Sequence, residues 1–355
     1  MDIKAKNNEK LEKLLFLELS KEKVQLIFDK EVINECYFPL KYSELTSKVS
    51  EGDPLEELPV SLFIEGMFYL LGLDPDFKYA MLYKEILSKM NSSISYIKFL
   101  ISKEVEEKSE GEALILIKGL LQVEKTMDNY KKAFLLSDAL RLLNNDYEEE
   151  ELMIIEEAEK LDSFPEPYFY KAMVLKDKDD YAGAYYALNE YMVKGGEKTS
   201  ELLVLKNMLQ EQRDYSSGKE LAYTNPKEAL KLLLPLLDTI ASNAILYFYI
   251  GVAYRVIENY EKAIYYLDES VFIDNELVEV VNELGINYAC LGEYATAVSY
   301  LRKAFESTKS VEICTNLIMC YIDMKDIEKA KVHLALAKKL SPKDEVVLEI
   351  EKMLG

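Results

Sequence analysis

The chain has 355 residues, 49% of them apolar, with 43 lysines and arginines against 64 aspartates and glutamates. The net charge of −21 leaves no basic face for phosphate neutralisation, which argues against nucleic-acid binding and against docking on anionic membranes. The longest apolar stretch, near residues 245–254, has about ten residues and is too short to span a bilayer, and the N-terminus lacks the apolar core of a signal peptide. These features predict a cytoplasmic protein.

The first part of the chain, residues 1–58, shows no repeated pattern and is assigned as a helical cap, with a helix predicted near residues 8–19. The segment contains no histidine and one cysteine, Cys36, so an enzyme with a small catalytic part here is the least favoured functional hypothesis. Residues 59–209 carry degenerate helical-hairpin patterns, and no Pro- or Gly-rich linker interrupts the chain. The sequence therefore predicts one elongated repeat array rather than several globular domains.

An acidic run crosses the degenerate region: ten carboxylates lie between Asp146 and Glu166, accompanied by one lysine. The favoured interpretation is local, with Asp146 capping a helix and residues 148–151 lying at the positive end of its dipole. The alternative is a docking patch for a basic partner, whose affinity would fall with salt and with replacement of these carboxylates.

Downstream of residue 210, two segments superimpose at a spacing of 34 residues. The matched positions are Gly251 and Gly285, Tyr254 and Tyr288, Tyr260 and Tyr294, Ala263 and Ala297, and Leu267 and Leu301. A fixed period of this length is typical of stacked helical pairs, each of which buries its apolar face against its neighbours. The turns IENY, LGEY and MKDI are short, so the two helices of each pair should run antiparallel. Asn259 and Gly292 are predicted to end the first helices in the left-handed conformation.

These residues resemble the tetratricopeptide repeat (TPR) family, whose pattern places Leu-Gly, Tyr, Ala and a late Pro at fixed positions. A third unit continues the pattern after a one-residue deletion, through Cys314, Leu317, Tyr321, Ala330 and Pro342, whereas the family tryptophan is absent. The resemblance implies an all-α fold, a right-handed superhelical solenoid of antiparallel helical hairpins. Within residues 210–355 it places repeats at 210–243, 244–277, 278–310 and 311–344, followed by the end of a helix.

The resemblance also implies a function, the uptake of an extended or helical peptide on the concave surface that the first helix of each hairpin forms. The residues expected to line this surface are Phe248, Val252, Arg255, Asn282, Ile286 and Met319. Phe248 is expected to be the main anchor, as an aromatic side chain exposed in the groove. One TPR subtype clamps a partner's C-terminal carboxylates with lysines and asparagines, but here the lysines are missing, so that partner class is not expected. Self-association through the same face is an alternative.

Signals for catalysis are close to absent. His333 lies between core positions of the last repeat and is predicted to be a surface side chain without a nucleophile beside it. The four cysteines, at positions 36, 290, 314 and 320, show no metal or redox spacing and are predicted to be reduced and buried. No enzymatic activity, cofactor or metal is predicted. The chain is interpreted as a scaffold that binds a protein or peptide, the alternative being a regulatory protein that responds to a small peptide.

Overall fold

The computed structural model describes residues 3–42 and 58–354. The chain divides into two compact units, Met1–Lys206 and Asn207–Gly355. Both units are built from helices in the described ranges, apart from one small sheet near the N-terminus, so the predicted all-α repeat class is confirmed. None of these helices combines the length and the apolar character that crossing a bilayer requires.

The first unit begins with two helices that alternate with two strands. These elements are α1 (Ile3–Glu12), β1 (Leu14–Leu19), α2 (Lys21–Phe28) and β2 (Cys36–Lys41). The strands pair antiparallel, with Leu15 opposite Leu40 and Leu17 opposite Phe38. The prediction of a helix through residue 19 is therefore wrong. The run LLFLEL forms a ladder with CYFPLK, a partner about twenty residues away that its local pattern does not reveal.

The remaining helices of the first unit follow in sequence. They are α3 (Val60–Leu73), α4 (Ala80–Lys89), α5 (Asn91–Glu106), α6 (Glu110–Leu121), α7 (Met127–Leu143), α8 (Glu148–Ala158), α9 (Glu166–Asp177) and α10 (Tyr181–Val193). The central helix is α3, whose middle is buried on all sides and which packs against both β2 and α6. The close packing of α3 against β2 and against α6 depends on a glycine at each contact. A methyl group built on Gly66 would overlap the carbonyl oxygen of Pro39, and one on Gly119 would overlap that of Phe68.

The acidic run extends from the short 3-10 turn Asn145–Tyr147 through α8 to the first residue of α9. Residues 148–151 make up the first turn of α8, as expected, but Asp146 is not its cap. Asn144 instead caps a short 3-10 turn by accepting a hydrogen bond from the backbone N–H of Asp146. Many of these carboxylates form ion pairs with distant residues, for example Glu150 with Lys118. The run is therefore held by neighbouring elements as well as by its own helix dipole.

The second unit begins within α11 (Ser200–Leu221) and continues as a regular helical array. The elements that follow are α12 (Pro226–Leu233), α13 (Ala244–Val256), α14 (Tyr260–Ile273), α15 (Val278–Cys290), α16 (Tyr294–Thr308), α17 (Val311–Asp323), α18 (Ile327–Leu340) and α19 (Glu345–Leu354). The helices α13 and α14, α15 and α16, and α17 and α18 form antiparallel hairpins, and each hairpin packs against the next. Residues 244–340 are therefore three stacked helical hairpins with the predicted period.

The same contacts recur inside these hairpins. Tyr254 stacks on Tyr266, and Tyr288 on Tyr300, with ring centroids 5.4 and 5.5 Å apart. The small residue at position 285 allows a close helix crossing, since a methyl group built on Gly285 would lie 2.6 Å from Cγ of a leucine on α16. Identical pairs at one repeat spacing show that the period in the sequence is a period of packing contacts.

The turns inside the hairpins also share one conformation. Glu258, Gly292 and Lys325 lie at equivalent positions and have φ values of 62°, 80° and 60°. The prediction for Gly292 is correct, but the one for Asn259 is wrong by a residue. Asn259 has φ −98° and caps α14, its side chain accepting a hydrogen bond from the backbone N–H of Lys262.

Candidate peptide-binding surface

The first helices of the three hairpins, α13, α15 and α17, place the predicted lining residues at equivalent positions, but with unequal exposure. Phe248 is only 8% exposed, and Val252 is fully buried. Both belong to an apolar core that also contains Leu230 and Leu233 of α12. The expectation that Phe248 is exposed in a groove is therefore wrong, because apolar residues of α12 extend the core over this part of α13.

The lining residues further along the array are more accessible. Asn282 and Ile286, one helical turn apart on α15, are half-buried. Met319 occupies the equivalent of Ile286 on α17 and is 38% exposed, and Ile322 beside it is half-buried. The accessible part of the predicted surface therefore lies on α15 and α17.

Asn282 carries an unpaired polar atom in this row of side chains. Its Oδ1 atom is buried and has no hydrogen-bond partner within residues 3–42 and 58–354. A buried acceptor without a donor typically costs about 1–3 kcal/mol. Because this atom has almost no accessible surface, the cost is borne inside the fold, and Oδ1 is not an acceptor for a ligand in this conformation.

Arg255 is not a free lining cation. Its Nε atom donates to Oε2 of Glu283 at 2.5 Å, and its Nη2 atom donates to Oε1 of the same carboxylate at 3.4 Å. Burial raises the pKa of the Glu283 carboxyl above its usual range, and the nearby guanidinium opposes that effect. The pair joins α13 to α15.

Sequence reasoning missed aromatic and basic side chains of α11, of the turn after it and of α13. Tyr223 in the turn is half exposed, and burial, followed by the charge of Glu283, raises the pKa of its hydroxyl. The Lys219 ammonium lies 5.1 Å from the ring centroid of Tyr215 and 5.5 Å from that of Tyr249. Tyr215 and Lys219 lie one turn apart on α11, a spacing that was visible in the sequence, whereas Tyr223 lies in the turn after the helix.

The residues considered for catalysis have structural roles. Cys36, Cys314 and Cys320 are buried, and burial raises the pKa of each thiol, to about 11 at Cys320. Cys290 is exposed, which contradicts the prediction that it is buried. None of the three buried thiols has the lowered pKa of an activated nucleophile.

His333 is half-buried rather than a free surface side chain. Its ring lies 5.0 Å from that of Tyr321, so it occupies the position of the second tyrosine in the two preceding repeats. Its Nδ1 atom lies 2.9 Å from the Lys329 carbonyl oxygen, and because a carbonyl only accepts, Nδ1 is the protonated nitrogen. The histidine therefore replaces a packing tyrosine.

The register, the recurring contacts and the stacked hairpins define the class of this chain as a helical-repeat protein. Its repeat pattern and its stacked helical hairpins resemble those of the tetratricopeptide repeat family. No family model matches the chain, and no curated protein matches it.

Several solved structures are similar in fold. MamA is 18% identical, with 50% of this chain and 92% of that chain covered and a TM-score of 0.39. A thermophilic TPR protein of Thermus thermophilus is 18% identical over 54% of this chain and 96% of its own, with a TM-score of 0.34. YrrB, described as a TPR protein with an unusual peptide-binding site, is 17% identical. The match covers 71% of this chain and 97% of YrrB, with a TM-score of 0.30. These similarities concern the fold.

Proposed function

We propose that this chain is a non-catalytic scaffold that binds an extended peptide or protein segment on the surface formed by α15 and α17. The observation that carries the proposal is the pair of accessible apolar side chains at equivalent repeat positions, the half-buried Ile286 on α15 and the 38% exposed Met319 on α17. An apolar side chain of an extended segment covers Ile286 and Met319. Met319 suits this contact because its thioether side chain adapts to different shapes.

An exposed tyrosine in the turn after α11 supports the same class of function. Tyr223 is half exposed, and a tyrosine offers the rigid, amphipathic contact area that dominates the energy of many protein interfaces. Phe248 contributes to stability and not to contact with the ligand, because it is buried in the core.

The properties of the rest of the chain favour binding over chemistry. The thiol of Cys36, the candidate nucleophile of the N-terminal segment, is buried and has a raised pKa. The net charge of −21 disfavours nucleic acid and anionic membranes as partners. Cysteines without disulfide bonds are consistent with a cytoplasmic location.

A peptide selection tests this proposal. The full chain is immobilised, peptides are selected from a random library of about 12 residues, and dissociation constants are measured by fluorescence anisotropy. Met319→Ala and Ile286→Asp are each expected to weaken binding of the selected peptides about tenfold or more. Phe272→Asp is the matched control, since Phe272 on α14 is exposed and lies outside this surface.

Circular dichroism and thermal unfolding confirm that each variant folds. Selected peptides that respond to Phe272→Asp and not to Ile286→Asp would move the binding site to another face. Peptides insensitive to all three substitutions, or the absence of any selected peptide, would contradict the proposal.

A further inference from the structure

The first unit contains a cavity of about 590 Å³ that the proposed function does not use. Its walls come from α1, the C-terminal ends of α3 and α6, the start of α7, and α8. Buried apolar side chains form its floor: Ile3, Leu71, Leu121, Tyr130 and Ile154. A concave site of this volume is in the range that encloses a small ligand or a few large side chains.

The rim of the cavity is charged and predominantly acidic. Six carboxylates line it, at Asp76, Asp146, Glu149, Glu150, Glu156 and Glu157, against three lysines, at Lys4, Lys118 and Lys125. Each lysine contacts a carboxylate of the rim, at 2.9 Å for Lys4 and Glu149 and at 3.0 Å for Lys118 with Glu150 and for Lys125 with Glu157. Glu157 also contacts Lys160, which lies outside the lining. The lining therefore has three more negative than positive groups, which favours a cationic occupant.

The rim can rearrange around an occupant. Lys4 and Glu149 are largely exposed, and exposed ion pairs of this kind exchange partners at little cost. Met153 also lines the cavity and is 53% exposed, although it is a large apolar side chain. An exposed methionine next to an apolar floor is an adaptable contact for an incoming side chain.

We propose that this cavity binds a basic amphipathic segment of a partner protein. One or two apolar side chains of the segment enter against Leu71, Leu121 and Ile154, and its lysines or arginines contact the rim carboxylates. A simple cation would leave the apolar floor uncovered, and an anionic or neutral apolar ligand would supply no counter-charge for Asp76, Asp146 and Glu156, the rim carboxylates that the three lysines do not pair. The site involves residues of the first unit alone, so it is independent of the surface on α15 and α17.

A model peptide tests the class of ligand. The probe is a fluorescein-labelled peptide of about 14 residues with Leu and Lys at helical spacing, and the matched control peptide has Glu in place of every Lys. The full chain is expected to bind the Lys peptide and not the Glu peptide. The dissociation constant should rise when the salt concentration is raised from about 50 to about 300 mM, because the rim contacts are exposed to solvent. Equal binding of the two peptides, or no binding of either, would overturn the proposal.

Two pairs of variants place the binding site. Met153→Ala and Glu156→Lys alter the cavity, and each is expected to weaken the Lys peptide about tenfold. Met81→Ala on α4 and Glu106→Lys on α5 make the same changes at exposed positions outside it, and binding should be unchanged. All four positions are exposed, so folding should be retained, and thermal unfolding checks this.

The outcome also separates this site from the other surface. Ile286→Asp is expected to leave binding of the Lys peptide unchanged. If Ile286→Asp weakens binding and Met153→Ala does not, the peptide binds in the second unit and the cavity is not its site. Equal effects of the cavity variants and their matched controls would show non-specific charge attraction and would equally reject the proposal.

Discussion

The two units solve the problem of close helix packing in different ways. In the first unit, the buried helix α3 meets β2 and α6 at glycines that face backbone carbonyl groups, as Gly119 faces Phe68. In the second unit, Gly285 faces the side chain of Leu301, and an equivalent contact occurs one repeat earlier. A side chain can shift when a neighbour grows, whereas a backbone segment in a packed core cannot shift without moving its whole helix. The repeated region is therefore regular and tolerant, and the first unit is irregular and tightly constrained.

Their buried charges differ as well. Arg141 of the first unit contacts three carboxylates, Asp138, Glu151 and Asp177, at 2.7 Å each. In the second unit, Arg255 contacts the single buried carboxylate of Glu283. Three carboxylates surround one buried guanidinium, and one of them, Glu151, is itself fully buried, so the first unit should respond more strongly to pH.

The largest expected effect is a loss of stability when a closely packed glycine is substituted. Gly119→Ala should destabilise the protein by about 3 kcal/mol, because the new methyl group overlaps the carbonyl oxygen of Phe68. Gly285→Ala should change stability by less than about 1 kcal/mol, because Leu301 can rotate away and alanine favours the helix by a similar amount. Both glycines lie within helices, so each variant is the control for the other in urea unfolding. Similar losses in the two variants would show that the units do not differ in tolerance.

A smaller effect concerns pH. Burial, against the opposing charge of Arg141, raises the pKa of Glu151 to about 7, and its Oε1 atom has no hydrogen-bond partner among the described residues. The folded state holds this proton at pH values where the unfolded state has released it. The stability that Glu151 contributes is therefore present at low pH and is lost as the pH rises through about 7.

The variant Glu151→Gln removes this titration while retaining an oxygen that can accept from Arg141. It should be more stable than the wild type at pH 8, by on the order of 2 kcal/mol, and the difference should disappear towards pH 5. Urea unfolding across this range measures the difference, with the exposed Glu106→Gln as the control. A difference that does not depend on pH would mean that Glu151 is ionised throughout.

The smallest effect tests the regularity of the repeats. His333→Tyr restores the tyrosine pair of the two preceding hairpins, and it should stabilise the second unit by about 0.5–1 kcal/mol through improved ring contacts with Tyr321. His333→Ala should destabilise it by a similar amount. Thermal unfolding of the two variants gives the comparison. A loss of stability in His333→Tyr would show that the hydrogen bond to the Lys329 carbonyl matters more than the ring contact.

The sequence was sufficient where one contact recurs at a fixed spacing. Gly285 with Leu301, and Tyr288 with Tyr300, join helices that are adjacent in the chain, so their partners can be found by counting residues. The hairpins, their order and the left-handed turn at Gly292 follow from such local rules.

The sequence was insufficient where a residue's environment depends on a distant segment. Phe248 has a groove position in the repeat, but it is buried because α12, from a degenerate repeat, adds Leu230 and Leu233 to its core. The predicted accessibility therefore fails at Phe248 and Val252, whereas Asn282, Ile286 and Met319 remain accessible to different degrees.

By itself, the sequence determined the class of protein, the repeat register and the helical hairpins of residues 244–340, because these depend on neighbours within about 34 residues. The tertiary structure alone decided the pairing of β1 with β2, the ion pairs of the acidic run with Lys4 and Lys118, and the cavity that they surround. The physical reason is that burial, charge pairing and open volume belong to groups of residues that meet only after the chain has folded.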